Sequence, residues 1–169
     1  HATAAWVQII IRGDVKDIVL LNLYSSPSGK GYLDDINYYV DQIQQYYRDV
    51  RKNHYIYGWV CSGDLNASHA LWGAPPPKTT SDYRYKRGDK LADILDETSF
   101  NILGSGQPTR FDWRIIPGTQ QRKLYESWID TTASRGFNPE SISQYISQQS
   151  AGSDHYPIYI TIGDNFLKI

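Results

Sequence analysis

A single cysteine, Cys61, excludes an internal disulfide framework. It lies in the apolar run Ile56 to Cys61, which makes it a core residue and makes a reducing, intracellular compartment its natural setting rather than secretion. Methionine is absent and the chain begins at His1, so the first residue is not a translation start, and the chain is expected to be a piece of a longer polypeptide. No apolar run approaches the ~18 residues that span a bilayer, and no signal-peptide pattern opens the chain. A soluble domain with no membrane partner is expected. Excess charge is missing too: 17 basic against 18 acidic side chains leave a net charge of -1, which gives no global signature of nucleic-acid binding. There is no internal repeat, no low-complexity tract and no sign of a second domain.

With 40% hydrophobic and 14% aromatic residues, the 169-residue chain has enough apolar material for one core, so residues 1–169 are expected to form a single α/β domain. The charge is unevenly placed. Residues 78–90 carry Lys78, Arg84, Lys86, Arg87 and Lys90 against Asp82 and Asp89, and residues 110–123 carry Arg110, Arg114, Arg122 and Lys123 against Asp112. Two basic stretches on an otherwise acidic body suit local contact with a polyanion.

The runs Ala5–Ile11 and Asp17–Leu23, joined by Arg12-Gly13-Asp14, predict an opening β-hairpin. Apolar residues recur at helical spacing from Leu33 to Val50, with Asp34 and Asp35 in the first turn and Arg48 near the last, which predicts a helix. Tyr55 to Cys61 reads as a buried strand that delivers Asp64 to a sheet edge. Residues 74–87 are Pro-rich and then charged, which predicts a loop, and a second helix is expected from about Gly88, with Leu91, Ile94 and Leu95 on one face. Short strands are expected at Asn101–Leu103, Thr109–Trp113, Tyr125–Thr132 and Tyr156–Ile162.

Four polar clusters punctuate these elements: Asn22-Leu-Tyr24-Ser-Ser-Pro27, Gly63-Asp64-Leu65-Asn66, Ser127-Trp-Ile-Asp130 and Ser153-Asp154-His155. Each stands where a strand-like run begins or ends. Carboxylates, an amide, a phenol and an imidazole gathered at neighbouring strand ends can hold a divalent metal, orient a water and handle a phosphate. Asp64 and Asn66, two apart on extended chain, would face one side at roughly 6–7 Å and touch one phosphate, the alternative being a plain Asx turn. Asp154 offers a metal ligand or an N-terminal turn residue. His155 offers a stabiliser of transferring oxygen if a carboxylate holds its other nitrogen, or else a satisfied surface residue. Asp130, flanked by apolar residues, is the candidate partner, since a buried carboxylate is costly unless paired. Tyr24 faces the same rim or serves packing, like most of the 14 tyrosines. His69 and Trp72 could touch a base or sugar or anchor their loop, and the basic stretches could hold phosphates or be merely solvated.

The order and wording of these clusters carry a resemblance. Tyr24-Ser-Ser-Pro, Gly-Asp64-Leu-Asn66-Ala-Ser-His-Ala-Leu-Trp-Gly, Pro108-Thr-Arg-Phe, Ser-Trp-Ile-Asp130-Thr-Thr-Ala-Ser134 and Ser-Asp154-His155-Tyr-Pro-Ile run through nearly the whole chain. The sequence resembles the endonuclease/exonuclease/phosphatase superfamily, and within it the apurinic-type endonuclease domain of non-LTR retrotransposons. The resemblance implies a DNase I-like four-layer α/β sandwich with the site at the rim of two packed sheets. It also implies a Mg²⁺ cofactor, with Mn²⁺ as an alternative, and nicking of double-stranded DNA to leave a 3′-hydroxyl that primes reverse transcription. The setting it implies is nuclear, within a larger polyprotein that carries a reverse transcriptase. By position, Asp64 would orient the nucleophilic water, Asn66 and Tyr24 would hold the scissile phosphate, Asp154 would help bind metal, and His155, oriented by Asp130, would stabilise the transition state. His69, Trp72, Arg84, Lys86, Arg87, Arg110 and Arg114 are the candidate DNA contacts, from loops 74–87 and 108–123. Members of the superfamily begin with strands that supply an Asn and a metal-binding Glu, which this sequence does not contain. The chain is therefore expected to be the C-terminal two-thirds of such a domain, to cut poorly alone, and to expose an edge through which it could self-associate. A phosphatase of the same superfamily and an inactive assembly module are the competing readings.

Overall fold

The computed structural model describes residues 2–27, 56–79, 81–150 and 152–163, together with Tyr38, Asp41, Gln42, Gln45, Arg48 and Asp49. Its centre is a five-stranded sheet built from β1 (Ala2–Ile11), β2 (Asp14–Leu23), β3 (Ile56–Asp64), β4 (Asn101–Ile102) and β7 (Asp130–Arg135), in the order β1-β2-β3-β7-β4. Strands β5 (Arg110–Ile115) and β6 (Arg122–Ser127) form a separate two-stranded ribbon, and β8 (Ile142–Ile146) and β9 (Ile158–Ile162) form another. One helix, α1 (Tyr83–Glu97), is described end to end.

The hairpin β1–β2 forms as its alternating apolar runs predict, closing at Arg12-Gly13 with both residues at positive φ. Strand β2 then runs parallel to β3. Parallel neighbours need a crossover of a dozen or more residues, usually helical. The six described positions between 38 and 49 are helical and exposed, and the rest of the helix expected over 33–50 lies outside the described residues. Strand β3 is central and buried from Gly58 to Cys61, which explains its near-continuous apolar composition. One of its faces packs Trp59 and Cys61 with Leu21, Leu23, Leu91 and Leu95 of α1. The other packs Val60 with Ile18, Phe137 and Ile142 of the second sheet. The two sheets and the outer helix give the expected sandwich, with three of its layers among the described residues. No helix of the described residues is long and apolar enough to cross a membrane. Strand β1 has no partner on its outer edge among the described residues.

Three expectations need correction. Helix α1 starts at Tyr83, not near Gly88, because the Asp82 side chain caps it by accepting from Arg84 N at 3.0 Å. Residues 83–87 are polar and aromatic, so no apolar stripe marked this first turn. The run Tyr125–Thr132 is two strands, β6 and β7, broken at Trp128-Ile129, which places Asp130 at the opening of β7 and not at a strand centre. Strand β8, too short and too polar (Ile-Ser-Gln-Tyr-Ile) to stand out, was not anticipated.

Candidate active site

The end of β3 and the beginning of β7 are antiparallel neighbours, and their register sets Asp64 directly opposite Asp130. Two like charges in that position repel, so the pairing needs a compensating group. His155 supplies it. Its Nδ1 donates toward both Asp130 oxygens, at 3.1 and 3.0 Å, and its Nε2 stands 3.8 Å from Asp64 Oδ2, beyond hydrogen-bond distance. Asp130 is the most buried of the three side chains and Asp64 and His155 are partly exposed, so the imidazole lies between a sequestered carboxylate and one at the mouth. The hydrogen bond to Asp130 raises the His155 pKa above its ordinary value, with Coulombic help from Asp130, Asp64 and Asp154 outweighing burial. Burial raises the pKa of Asp64, and Asp130 raises it further.

Thr109 holds this constellation together. Its hydroxyl oxygen accepts from Ile129 N at 3.2 Å and Asp130 N at 3.1 Å, its carbonyl accepts from Tyr156 N at 2.8 Å, and its own N–H donates to Ser127 O at 3.0 Å. One buried residue thus ties the strand that carries Asp130 to the segment that carries His155. Sequence reasoning missed it, although Pro108-Thr-Arg-Phe stood among the quoted motifs. Thr109→Val keeps the shape but leaves two buried N–H groups unpaired, at about 1–3 kcal/mol each. The expected outcome is a lower denaturation midpoint and a His155 pKa closer to ordinary by NMR titration, with Thr109→Ser close to wild type. A Val variant as stable as wild type would mean the hydroxyl is dispensable.

The rim loop after β2 is fastened to the same strand end. Ser25 N donates to Asp64 O at 2.8 Å, and Asn66 Nδ2 donates to Ser25 O at 2.8 Å. Asn66 is buried, with φ at +47°, and its N–H donates to Asp64 Oδ1 at 3.0 Å. Of the two readings of Asp64-x-Asn66, the Asx turn is the one that forms, with Asn66 setting Asp64 from behind and its amide serving the rim loop. Tyr24 precedes Ser25 and is 46% exposed, at the C-terminal end of β2. Arg87 donates to Ser26 O, Pro27 O and Leu65 O, each at 3.1 Å, and to the Ser25 hydroxyl. Its guanidinium staples the two loops.

The other basic and aromatic candidates divide. Trp72 is buried and its Nε1 donates to Trp128 O at 3.3 Å, so its ring belongs to the core and not to a DNA surface. His69 caps the 3₁₀ turn Ala70–Trp72, accepting from Leu71 N at 3.1 Å, with Nε2 3.5 Å from Asp89. Arg84 and Lys86 lie on the first turn of α1 rather than in a loop, Lys86 exposed. Arg114 pairs with Asp112 at 2.6 Å and lies over the Tyr125 ring at 5.3 Å on the β5–β6 ribbon. Arg110 donates from Nε (2.8 Å) and Nη2 (2.7 Å) to Asp154 Oδ2. That bond is the first cause of the lowered Asp154 pKa.

The donor set suits a hard divalent cation. Asp64, Asp130 and His155 place ligand atoms within 4.8 Å of one another, and Asp154, half-exposed and held by Arg110, precedes His155 in the chain. Three carboxylates around one imidazole carry a surplus of negative charge that a cation relieves, and Mg²⁺ needs only one or two carboxylates besides waters and phosphate oxygens. Since Nδ1 is held by Asp130, His155 is better placed as a proton-bearing group than as a ligand.

Two sheets packed face to face with a His–Asp pair at the strand rim give the chain a DNase I-like fold. The chain belongs to the endonuclease–reverse transcriptase family, which matches residues 18–159. It is 31% identical over 104 residues to the probable RNA-directed DNA polymerase from transposon BS of Drosophila melanogaster, across 62% of this chain and 10% of that protein. It is 26% identical over 110 residues to the RNA-directed DNA polymerase from mobile element jockey of the same organism, across 65% of this chain and 10% of that protein. Among solved structures, the endonuclease domain of TRAS1, a telomere-specific non-LTR retrotransposon, is similar with a TM-score of 0.60 and 25% identity, over 94% of this chain and 63% of that one. The chain therefore spans about a tenth of the length of these curated relatives.

Proposed function

We propose that this chain carries out metal-dependent cleavage of DNA phosphodiesters as part of a retrotransposon polyprotein with reverse transcriptase, leaving a 3′-hydroxyl that can prime DNA synthesis in the nucleus. The observation that carries this reading is the constellation of His155, Asp130 and Asp64, with Nδ1 at 3.0 Å from Asp130 and Nε2 at 3.8 Å from Asp64.

Asp64 at the mouth accepts a proton from, and aims, the attacking water, and its raised pKa brings it closer to the range of a useful base. His155, kept protonated to higher pH by Asp130, presents Nε2–H to the oxygen on which charge develops. Asp154 would hold a divalent cation, which would supply neutralisation of phosphate charge. Asn66, Arg87 and Ser25 act behind these groups, fixing Asp64 and the Tyr24 loop, and the Tyr24 hydroxyl would hold a phosphate oxygen. The β5–β6 ribbon, carrying Arg110, Arg114, Arg122 and Lys123, has the dimensions of a two-stranded element that enters a groove of duplex DNA. Arg84 and Lys86 on α1 are available to the phosphate backbone.

Plasmid nicking in Mg²⁺ against EDTA, by the chain and by His155→Ala, tests the reading. Metal-dependent nicking that the substitution lowers by about 10²–10⁴-fold is expected. Release of phosphate from small monoesters without nicking would replace it with a phosphatase.

A further inference from the structure

The contact between Arg110 and Asp154 joins a residue suited to phosphate to a residue suited to a cation. Both nitrogens, Nε and Nη2, fall on the single oxygen Oδ2, at 2.8 and 2.7 Å. A fork-on-fork pair would use both carboxylate oxygens, so Oδ1 stays outside this contact. The pairing is imposed by the backbone and does not require a reaching side chain. Arg110 and His155 form an antiparallel bridge, and Phe111 N donates to Asp154 O at 2.9 Å, which brings the two residues onto adjacent extended segments. Both side chains remain open to solvent, 35% and 53% exposed, so exchanging one partner for another disturbs no packing. Exposed ion pairs of this kind are weak and easily traded.

We propose, on the reading that Asp154 is a cation ligand, that Arg110 holds the cation's place on Asp154 and that cation binding frees its guanidinium for a DNA phosphate. A divalent ion at the Asp154 carboxylate repels a guanidinium at 2.7 Å and competes for the same oxygen. Two further carboxylates act on Arg110, Asp64 and Asp112, and Asp112 is already held by Arg114 at 2.6 Å. Residues 110, 112 and 114 alternate onto one face of β5, and Arg114 stands opposite Lys123 in register. The freed guanidinium therefore joins a basic row that leads away from the site along the ribbon, where a phosphodiester backbone is its natural partner. Cation and DNA would then favour each other's binding by the same factor, as linkage requires.

Two binding measurements on the chain test this without turnover. In the first, free Mn²⁺ is followed by electron paramagnetic resonance during titration of wild type, Arg110→Gln, Arg110→Lys and Asp154→Asn. Arg110→Gln is expected to bind Mn²⁺ about two- to five-fold more tightly than wild type, the factor an exposed ion pair commands, with Arg110→Lys between them and Asp154→Asn losing the site. Unchanged or weaker binding by Arg110→Gln, or no binding by any of the four, overturns the proposal. In the second, the affinity for a short fluorescein-labelled duplex is read by anisotropy in EDTA. Arg110→Gln should cost little in the wild-type background, where the guanidinium is engaged, and about five-fold or more in the Asp154→Asn background, where it is free. The same cost in both backgrounds also overturns it. If both patterns appear while plasmid nicking is absent even from a form that carries the upstream strands, the endonuclease reading fails and this exchange stands.

Discussion

Asp130→Asn is expected to lower nicking by about 10²–10⁴-fold while leaving the chain folded, because the amide keeps the size of the carboxylate and loses its charge. His155 owes its raised pKa first to the hydrogen bond with Asp130 and only then to the surrounding carboxylates, against the opposing effect of burial. Without the charge, the largest cause of the upward shift is weakened and the imidazole loses its proton at lower pH. The alkaline limb of the pH–rate profile should therefore move to lower pH, and NMR titration of His155 should show the same displacement. The effect on stability has a sign that depends on pH. A histidine whose folded pKa lies above its unfolded value stabilises fully below the unfolded value, near 6.5, and loses that contribution as pH rises through the folded value. Wild type should thus be the more stable at about pH 5. At alkaline pH the variant should equal or exceed it, since Asp64 and Asp130 then face each other across the strands as uncompensated like charges. A variant whose rate profile and His155 titration both match wild type would show that Asp130 does not orient or charge the imidazole.

Gly63→Ala should destabilise the chain by about 3 kcal/mol or more, at the upper end of overpacking changes, and lower Tm by about 6–12 °C. A Cβ at this position would stand 1.7 Å from Leu23 O, a backbone atom. Neither side of the contact can yield cheaply: Gly63 is paired to Thr131, Leu23 is paired to Ala2, and β2 and β3 are themselves hydrogen-bonded neighbours. Because Asp64 follows directly and its carbonyl receives the Ser25 N–H at 2.8 Å, any separation of the strand ends also moves the Asp64 carboxylate from His155. Activity at permissive temperature should fall through kcat more than through KM, since the basic ribbon is untouched. A Tm within about 2 °C of wild type would mean that the two strand ends part freely at this point.

What could be read from the chain divides along physical lines. Strands β1, β2 and β9 announce themselves because their apolar residues alternate, β3 because its apolar run is nearly continuous, and the apolar face of α1 because it recurs at helical spacing. The first turn of α1 does not, because Tyr83 to Arg87 is held by the Asp82 cap and by contacts with the 65–69 segment, with Gly88 packed against Ser68 O. The break between β6 and β7 is equally hidden, since Trp128-Ile129 is as apolar as a strand; its carbonyl and amide partners, Ser68, Trp72 and Thr109, come from elsewhere in the chain. The chemistry-bearing residues Asp64, Asp130, Asp154 and His155 could be singled out because polar groups at the ends of apolar runs are costly without a purpose.

The sequence by itself determined the periodic elements, the surplus of carboxylates at their ends and the family to which these motifs point. Only the tertiary structure decided which groups face one another. Asp64 meets Asp130 because of a strand register 66 residues apart in sequence, and His155 reaches both because Thr109 binds two segments at once. Asn66, Arg87, His69 and Trp72 stand out in the sequence as candidate ligands, and in the fold each makes hydrogen bonds within the chain. Local patterns fix which residues can be buried or exposed. The partner of a buried amide or guanidinium is set by long-range packing, which no local pattern encodes.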